Sequence, residues 1–572
     1  MTIGDFLKKY QLWIMIAIFI LAFLLRVVPI GKGDLYLDNA LYSVRALTWS
    51  DFIDDKETAP IQWLGKTPFW TKLSFHDAPP LVLFTQHVSL GILGDHSYAA
   101  RWPFVLFGTL LVALVFYAVR RLRGLPTAVL ASLFLTVSSY AVWASLAGYL
   151  EGVEYFFVAA AFFSLTLFLQ DTQRQTKYFY LWAVAVAAAI LCKFTAVFLL
   201  PAGLVAWWLT KDKKVLADRG RLVKVGLLLV VILSPVIIYN LSMFSARGHF
   251  DAVVSSVIGS SPTDFGNLAS RQVEANFGSK LISILTALWS LDSIFYLVLI
   301  TGGLVYLLVL IACRRADFYQ QNLVVHLLWL LLVLLLAGVG DRFLIILVPF
   351  MSLLTAEVSI ALLRFLRRYR YGQFAGIILL GVVMGAELLF AVNTNVLHSA
   401  WPASYRAENG LESRGFNELE DYLRQDIFGS MPKARPLRTK EDFAISGPDV
   451  AGRPLVIYDD SLDWFATWWH LKKYLIYYHL PVIGLSDFGS SGSSLSTRDF
   501  RKSGDGKVYF VAGLRSEVMD PTKLKTDGSL STVEQLTKAL EQAKVEAKVI
   551  NDKQGRPSFK VYTVSFDIEP KR

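Results

Sequence analysis

The feature that most constrains this chain is a succession of apolar runs, each near or beyond the ~20 residues needed to cross a bilayer. They begin near Gln11, Trp102, Pro126, Tyr155, Tyr178, Phe194, Val225, Ser293, Leu323, Phe343 and Phe374. Segments of this kind must satisfy their backbone polar groups internally, which leaves the α-helix as the spanning element. Composition agrees. Of 572 residues, 54% are hydrophobic and 18% charged, against an apolar share of roughly 45–50% in soluble domains. The formal charge of +10 is therefore read through topology and not as a nucleic-acid signal. Cys192 and Cys313 both fall in or beside apolar runs and give no disulfide framework.

The basic loops fix an orientation. Arg120–Arg123, Arg174 with Lys177, Lys211–Lys224, Arg314-Arg315 and Arg364–Arg370 all follow even-numbered crossings. With the N-terminus inside, each lies on the cytoplasmic face. An odd helix count then puts the C-terminus outside. The expected architecture is a polytopic α-helical membrane protein with about eleven spans, N-in and C-out, in the cell membrane. Residues 1–396 would form the transmembrane domain and 397–572 a soluble extracytoplasmic α/β domain.

Two outer loops are long. Residues 31–101 contain the spacing of a short amphipathic helix at Asp38–Leu47 and an apolar segment, Pro79–Leu93, too short to span. In the outer loop 245–292, Ser245–Lys280 is rich in Ser, Gly and Asp and reads as a lid or an irregular loop, with an interfacial helix near Leu281–Ser290. In the C-terminal region, strands are expected at Leu455–Tyr458, Val508–Val511, Val545–Ile550 and Phe559–Val564. Helices are expected at Asn417–Arg424, Leu462–Tyr474 and Thr532–Ala543.

Most ionisable residues of interest fall on the outer face. Asp34 and Asp38 follow the first span, with Asp34 reading as a solvated loop acid. His76 and Asp77 precede Pro79-Pro80, and Arg101 opens the second span. Glu151 and Glu154 sit between the third and fourth spans, Lys193 in a tight turn, and Arg342 before the tenth span. Asp38 also fits the N-cap of the helix that follows it. The spans are nearly free of interior charge, Arg26, His326, Glu357 and Glu387 being the exceptions. A transporter or lipid flippase places such groups at mid-membrane more freely.

In this order, the motifs resemble those of the GT-C-fold glycosyltransferases that use polyprenyl phosphate sugars, the protein O-mannosyltransferase and aminoarabinose transferase group. The resemblance runs over roughly residues 10 to 360. It rests on Leu37-Asp38-Asn39-Ala40, Phe75-His76-Asp77-Ala78-Pro79-Pro80-Leu81, Arg101-Trp102-Pro103, Arg120–Gly124, Glu151 or Glu154, Lys193-Phe194-Thr195, and Arg342-Phe343 with Pro349. Ala78 stands where the group usually has Lys or His.

The resemblance implies an inverting transfer of mannose or a similar sugar from a polyprenyl phosphate donor. The acceptor would be a hydroxyl on a protein, lipid or glycan at the outer face. Asp38 would be the general base and Glu151 a second site acid. His76, Arg101, Lys193 and Arg342 would bind the donor phosphate, and Asp77 and Glu154 would face the acceptor. No cofactor is required and no metal-ligand spacing is present, although Asp38 and Glu151 leave room for a shared divalent cation. The rival readings are a lipid-linked-sugar flippase and a non-catalytic envelope assembly protein.

Overall fold

The computed structural model describes residues 3–49, 69–170, 176–210, 218–260, 262–265, 277–337, 340–397, 411–428, 454–489, 507–520 and 532–565. The chain forms two compact units. One comprises Met1–Ile30, Lys66–Ser89 and Ala100–Asn409. The other comprises Gly31–Gly65, Leu90–Ala99 and Gly410–Arg572. The long loop after the first helix is thus shared between the units, with its residues 31–65 and 90–99 clustering with the C-terminal region.

The first unit is helical. Among the described residues, 8 helices are long and apolar enough to cross a membrane. They account for eight of the runs anticipated from hydropathy. The other three runs, beginning near Pro126, Tyr178 and Phe194, form the shorter apolar helices Leu125–Val137, Thr176–Cys192 and Phe194–Leu209. Burial ranks the spans. Arg342–Leu366 has 83% of its apolar window buried and is the central helix, whereas Arg219–Arg247 has 11% and lies at the rim. The helix Val348–Leu366 packs against Leu125–Val137 and Ile294–Ala312, and Glu151–Gln170 packs along Thr176–Cys192. A bidentate pair ties two of these helices: Arg123 donates to Glu357 Oε1 at 2.7 Å and Oε2 at 2.9 Å. Gln320 adds a further donor to Glu357. The outer loop expected over 245–292 contains the helices Ala252–Val257 and Phe277–Leu291, and its residues 266–276 lie outside the described set.

The second unit is an α/β domain on a five-stranded sheet of order β2-β1-β3-β5-β4. The strands are β1 (Leu455–Tyr458), β2 (Val482–Gly484), β3 (Lys507–Gly513), β4 (Glu546–Asn551) and β5 (Pro557–Ser565). β1 is parallel to β2 and β3, while β5 is antiparallel to β3 and β4. All four β1 residues are buried, as expected for a strand covered on both faces. Val456 and Tyr458 face one core with the helix Phe416–Leu423 and the segment 462–480, and Leu455 and Ile457 face the other with Leu536 and Leu540. The four strands expected from sequence are present. β2 was not anticipated, since three residues carry too little period to be read.

Asp34 corrects its sequence reading. It is fully buried. Its Oδ2 accepts the N–H groups of Arg414 at 2.6 Å and Phe416 at 3.1 Å, and its Oδ1 that of Asn417 at 3.0 Å. These are the otherwise unsatisfied donors at the start of the helix Phe416–Leu423. Asp34 is therefore a helix cap supplied from a distant part of the sequence, and not a solvated loop acid.

Candidate active site

In the first unit, three of the expected residues come together. The helix Thr176–Cys192 closes with the N–H of Lys193 on the carbonyl of Ala189. Lys193 then adopts an extended conformation (φ −157°, ψ 131°) before the 3-10 segment Phe194–Phe198. This break between two apolar segments carries the Lys193 side chain to Glu151, the first residue of Glu151–Gln170. Lys193 Nζ donates to Glu151 Oε1, and Arg342 Nε lies 3.9 Å from the same oxygen. Arg342 is presented by the 3-10 segment Asp341–Leu347.

The surroundings are partly buried and aromatic. Glu151 is 2% exposed, while the Lys193 and Arg342 side chains are 21% and 30% exposed. The Lys193 ammonium lies 4.0 Å from the Phe343 ring centroid, and the Arg342 guanidinium 5.0 Å from Phe343 and 5.6 Å from Tyr149. Such contacts are cation–π attractions. Glu154, one turn on, is 1% exposed, and its Oε1 has no hydrogen-bond partner among the described residues. The arrangement is an anchored pair of cations at a partly open edge, backed by buried carboxyl groups. It suits a multiply charged anion such as a phosphate ester.

The turn before Glu151 is itself held. Ser145 Oγ accepts from Arg26 Nε at 3.0 Å and lies 3.0 Å from the Tyr155 hydroxyl. Arg26 also donates to the carbonyl of Ala22. Gly152 allows this turn to close, because a Cβ there would come within 2.5 Å of the Ala144 carbonyl oxygen.

His76 contacts a different part of the same unit. It is buried, stacks on Phe265 at 5.4 Å, lies 3.9 Å from Asp77, and its carbonyl accepts the N–H of Ala252. His249 stands edge-on to Phe265 and lies 3.1 Å from Asp264. The segment 249–265 is thus seated on the His76 turn. Ala78 is 1% exposed and its carbonyl receives Phe75 N–H. Arg101, also buried, donates to the carbonyl of Ile30 at 3.3 Å. Asp38 belongs to the second unit, where it is the half-buried first residue of Asp38–Thr48. It is not the N-cap: Leu37 holds that position, and no side chain caps the helix. Tyr149, Phe265 and His249 were not singled out from sequence. Tyr149 stands two residues from Glu151, which was a usable signal; the other two had none. No group of three or more His, Cys, Asp or Glu that could hold a metal occurs among the described residues, and both partners of Glu151 described above are cations.

Comparison with known proteins bears on the fold. Residues 77–239 match the family described as dolichyl-phosphate-mannose-protein mannosyltransferase. No curated protein matches the chain by sequence. Among solved structures, ArnT from Cupriavidus metallidurans in the apo state superposes with a TM-score of 0.53 at 14% identity, covering 97% of this chain and 98% of that one. ArnT bound to undecaprenyl phosphate gives 0.52 at 13% identity, with 99% and 100% covered. The oligosaccharyltransferase of Archaeoglobus fulgidus gives 0.52 at 13% identity, with 88% and 70% covered. The chain has the GT-C fold of these membrane proteins and is similar over residues 77–239 to the dolichyl-phosphate-mannose-protein mannosyltransferases.

Proposed function

We propose that the chain moves a sugar from a polyprenyl phosphate donor to a hydroxyl group of a protein, lipid or glycan at the outer face of the cell membrane. The observation that carries this reading is the convergence of Lys193 and Arg342 on buried Glu151. It occurs in a fold whose relative ArnT is described as bound to undecaprenyl phosphate. When the anomeric C–O bond breaks, the lipid phosphate gains negative charge, which two pre-oriented cations answer directly. The Lys193 ammonium has three N–H donors and one carboxylate partner among the described residues. Glu151 orients the cations.

The acceptor oxygen attacks the anomeric carbon opposite the phosphate. Its proton passes to the Asp38 carboxylate, the bond to the phosphate oxygen breaks, and the configuration inverts once. In this reading Glu154 and Asp77 face the acceptor, and His76 and Arg101 join Lys193 and Arg342 in binding the donor phosphate. Mannose is the default sugar.

The test is a transfer assay with purified protein in lipid and a panel of polyprenyl phosphate sugars. Release of polyprenyl phosphate, lost in Asp38→Asn and Lys193→Met, is the expected result. Donor left intact while a labelled lipid crosses the bilayer would instead make the chain a flippase.

A further inference from the structure

Two carboxyl groups outside the candidate site are buried in the first unit without a cation in their described contacts. Glu387, on the helix Gly372–Ala391, is 0% exposed, and Asp292, just before the helix Ile294–Ala312, is 3% exposed. Asp292 accepts from Ser138 and Tyr140, and Glu387 from Ser139 and Ser293, so the two carboxyl groups meet at one short stretch of backbone.

The donors around the pair are unevenly distributed. Glu387 Oε1 accepts the N–H of Ser139 at 2.7 Å, and its Oε2 accepts the N–H of Ser293 at 2.7 Å. Asp292 Oδ1 accepts the Ser138 hydroxyl at 3.0 Å and the Tyr140 N–H at 3.0 Å. Asp292 Oδ2 receives no donor at all among the described residues. Three of four oxygens are thus occupied as acceptors. Two carboxylates in contact cannot both be ionised in a buried site. Oδ2 of Asp292 is the one oxygen of the four with no described donor, so a proton there displaces none.

The donors to this pair come from the start of the short helix Ser139–Ala144 and from Ser293. Asn395 grips the same helix by donating to Ser139 O and Oγ, each at 3.0 Å. At the other end of the helix, Ser145 receives Arg26 and meets Tyr155, and Glu151 follows. The short helix also packs on the 3-10 segment that carries Arg342.

We propose that Asp292 and Glu387 share one proton, carried on Asp292 Oδ2 and donated to Glu387, and that they are positioning residues. Through the Ser139–Ala144 helix, they set the Glu151 end of the phosphate site. The positioning part rests on the reading of Glu151, Lys193 and Arg342 as that site; the proton assignment does not.

The test uses the full chain in lipid and the two isosteric amides. In Asp292→Asn, the amide keeps Oδ1 as acceptor and replaces O–H by N–H, so melting temperature and donor KM stay at wild-type values. The infrared band of a protonated carboxyl disappears. In Glu387→Gln, an NH₂ is turned against the N–H of Ser139 or Ser293 and leaves a buried donor unpaired. The melting temperature falls, and donor KM in the surviving folded enzyme rises about tenfold, the equivalent of one lost hydrogen bond. A purely structural role would shrink the folded fraction and leave KM alone, which would overturn the positioning claim. Equal tolerance of both amides, equal damage by both, or the reverse order would overturn the proton assignment. Melting and infrared spectra need no turnover, so they stand apart from any failure of the transferase reading.

Discussion

Lys193→Met isolates the contribution of the cation at the candidate site while keeping the length of the stem. It leaves Glu151, 2% exposed, with Arg342 at 3.9 Å as its remaining described counter-charge. At an effective dielectric of ~20, unit charges at that separation attract by about 4 kcal/mol, so Arg342 recovers part of the loss. Removing one partner of a fully buried pair costs ~3–5 kcal/mol. With Arg342 still present and Lys193 one-fifth exposed, the expected destabilisation is about 2 kcal/mol, read as a lower melting temperature in detergent. Losing a charge-assisted phosphate contact worth ~1.5–3 kcal/mol lowers kcat/KM by roughly 10- to 150-fold. Glu151→Gln in the Lys193→Met background separates the two effects. It removes the stranded carboxylate, so melting recovers, but it supplies no cation, so transfer does not. Recovery of transfer in the double variant would show that Lys193 merely neutralises Glu151 and would sink the phosphate-binding role. Failure of melting to recover would show that the pair is not an electrostatic unit.

Three further outcomes are expected. Gly108→Ala would place a Cβ 2.1 Å from Ser145 Oγ and 2.6 Å from the Tyr155 hydroxyl; a loss of ~1–3 kcal/mol from overpacking, visible in melting, checks that the Arg26–Ser145–Tyr155 contact is tight. Asp34→Ala removes three backbone contacts and should cost ~1–2 kcal/mol, making the second unit more sensitive to limited proteolysis. The Glu418 carboxyl is pushed up to about 7 by burial and by Asp34. A raised carboxyl binds its proton in the folded state, so its stabilising effect is full below pH ~4.3 and is lost as pH rises through 7. Glu418→Gln should flatten the fall in unfolding midpoint between pH 5 and 8, and an unchanged slope would rule the group out.

How much of this was legible depended on the range of each interaction. Long apolar runs and the outer strands are local patterns, and the sequence displays them directly. The order of motifs assigned Glu151 and Lys193 to one site but did not pair them, since a turn of extended backbone at Lys193 decides the contact. Asp34 looked solvated because its partners lie at Arg414, Phe416 and Asn417, and nothing near it in sequence hints at a helix to cap. His76 could be flagged, but not the Phe265 ring against it. Glu387 was visible as a charge within the last span, whereas Asp292 stands at the edge of an apolar run, and the donors to Glu387 from Ser139 and Ser293 are distant in sequence.

The second unit draws on residues 31–65 and 90–99 as well as 410–572. More than half the chain lies between Ala99 and Gly410. At ~5–20 residues per second, the early segments wait on the order of tens of seconds for the partners that complete their hydrogen bonds. Throughout that interval, Asp34 has no helix to cap, and Asp95 lacks both the Tyr478 hydroxyl and the ammonium of Lys473. Biogenesis of this protein therefore has an obligatory late step. The domain can close only after the last helix of the membrane unit has been made, so a truncated nascent chain carries a half-built domain that chaperones and proteases can recognise.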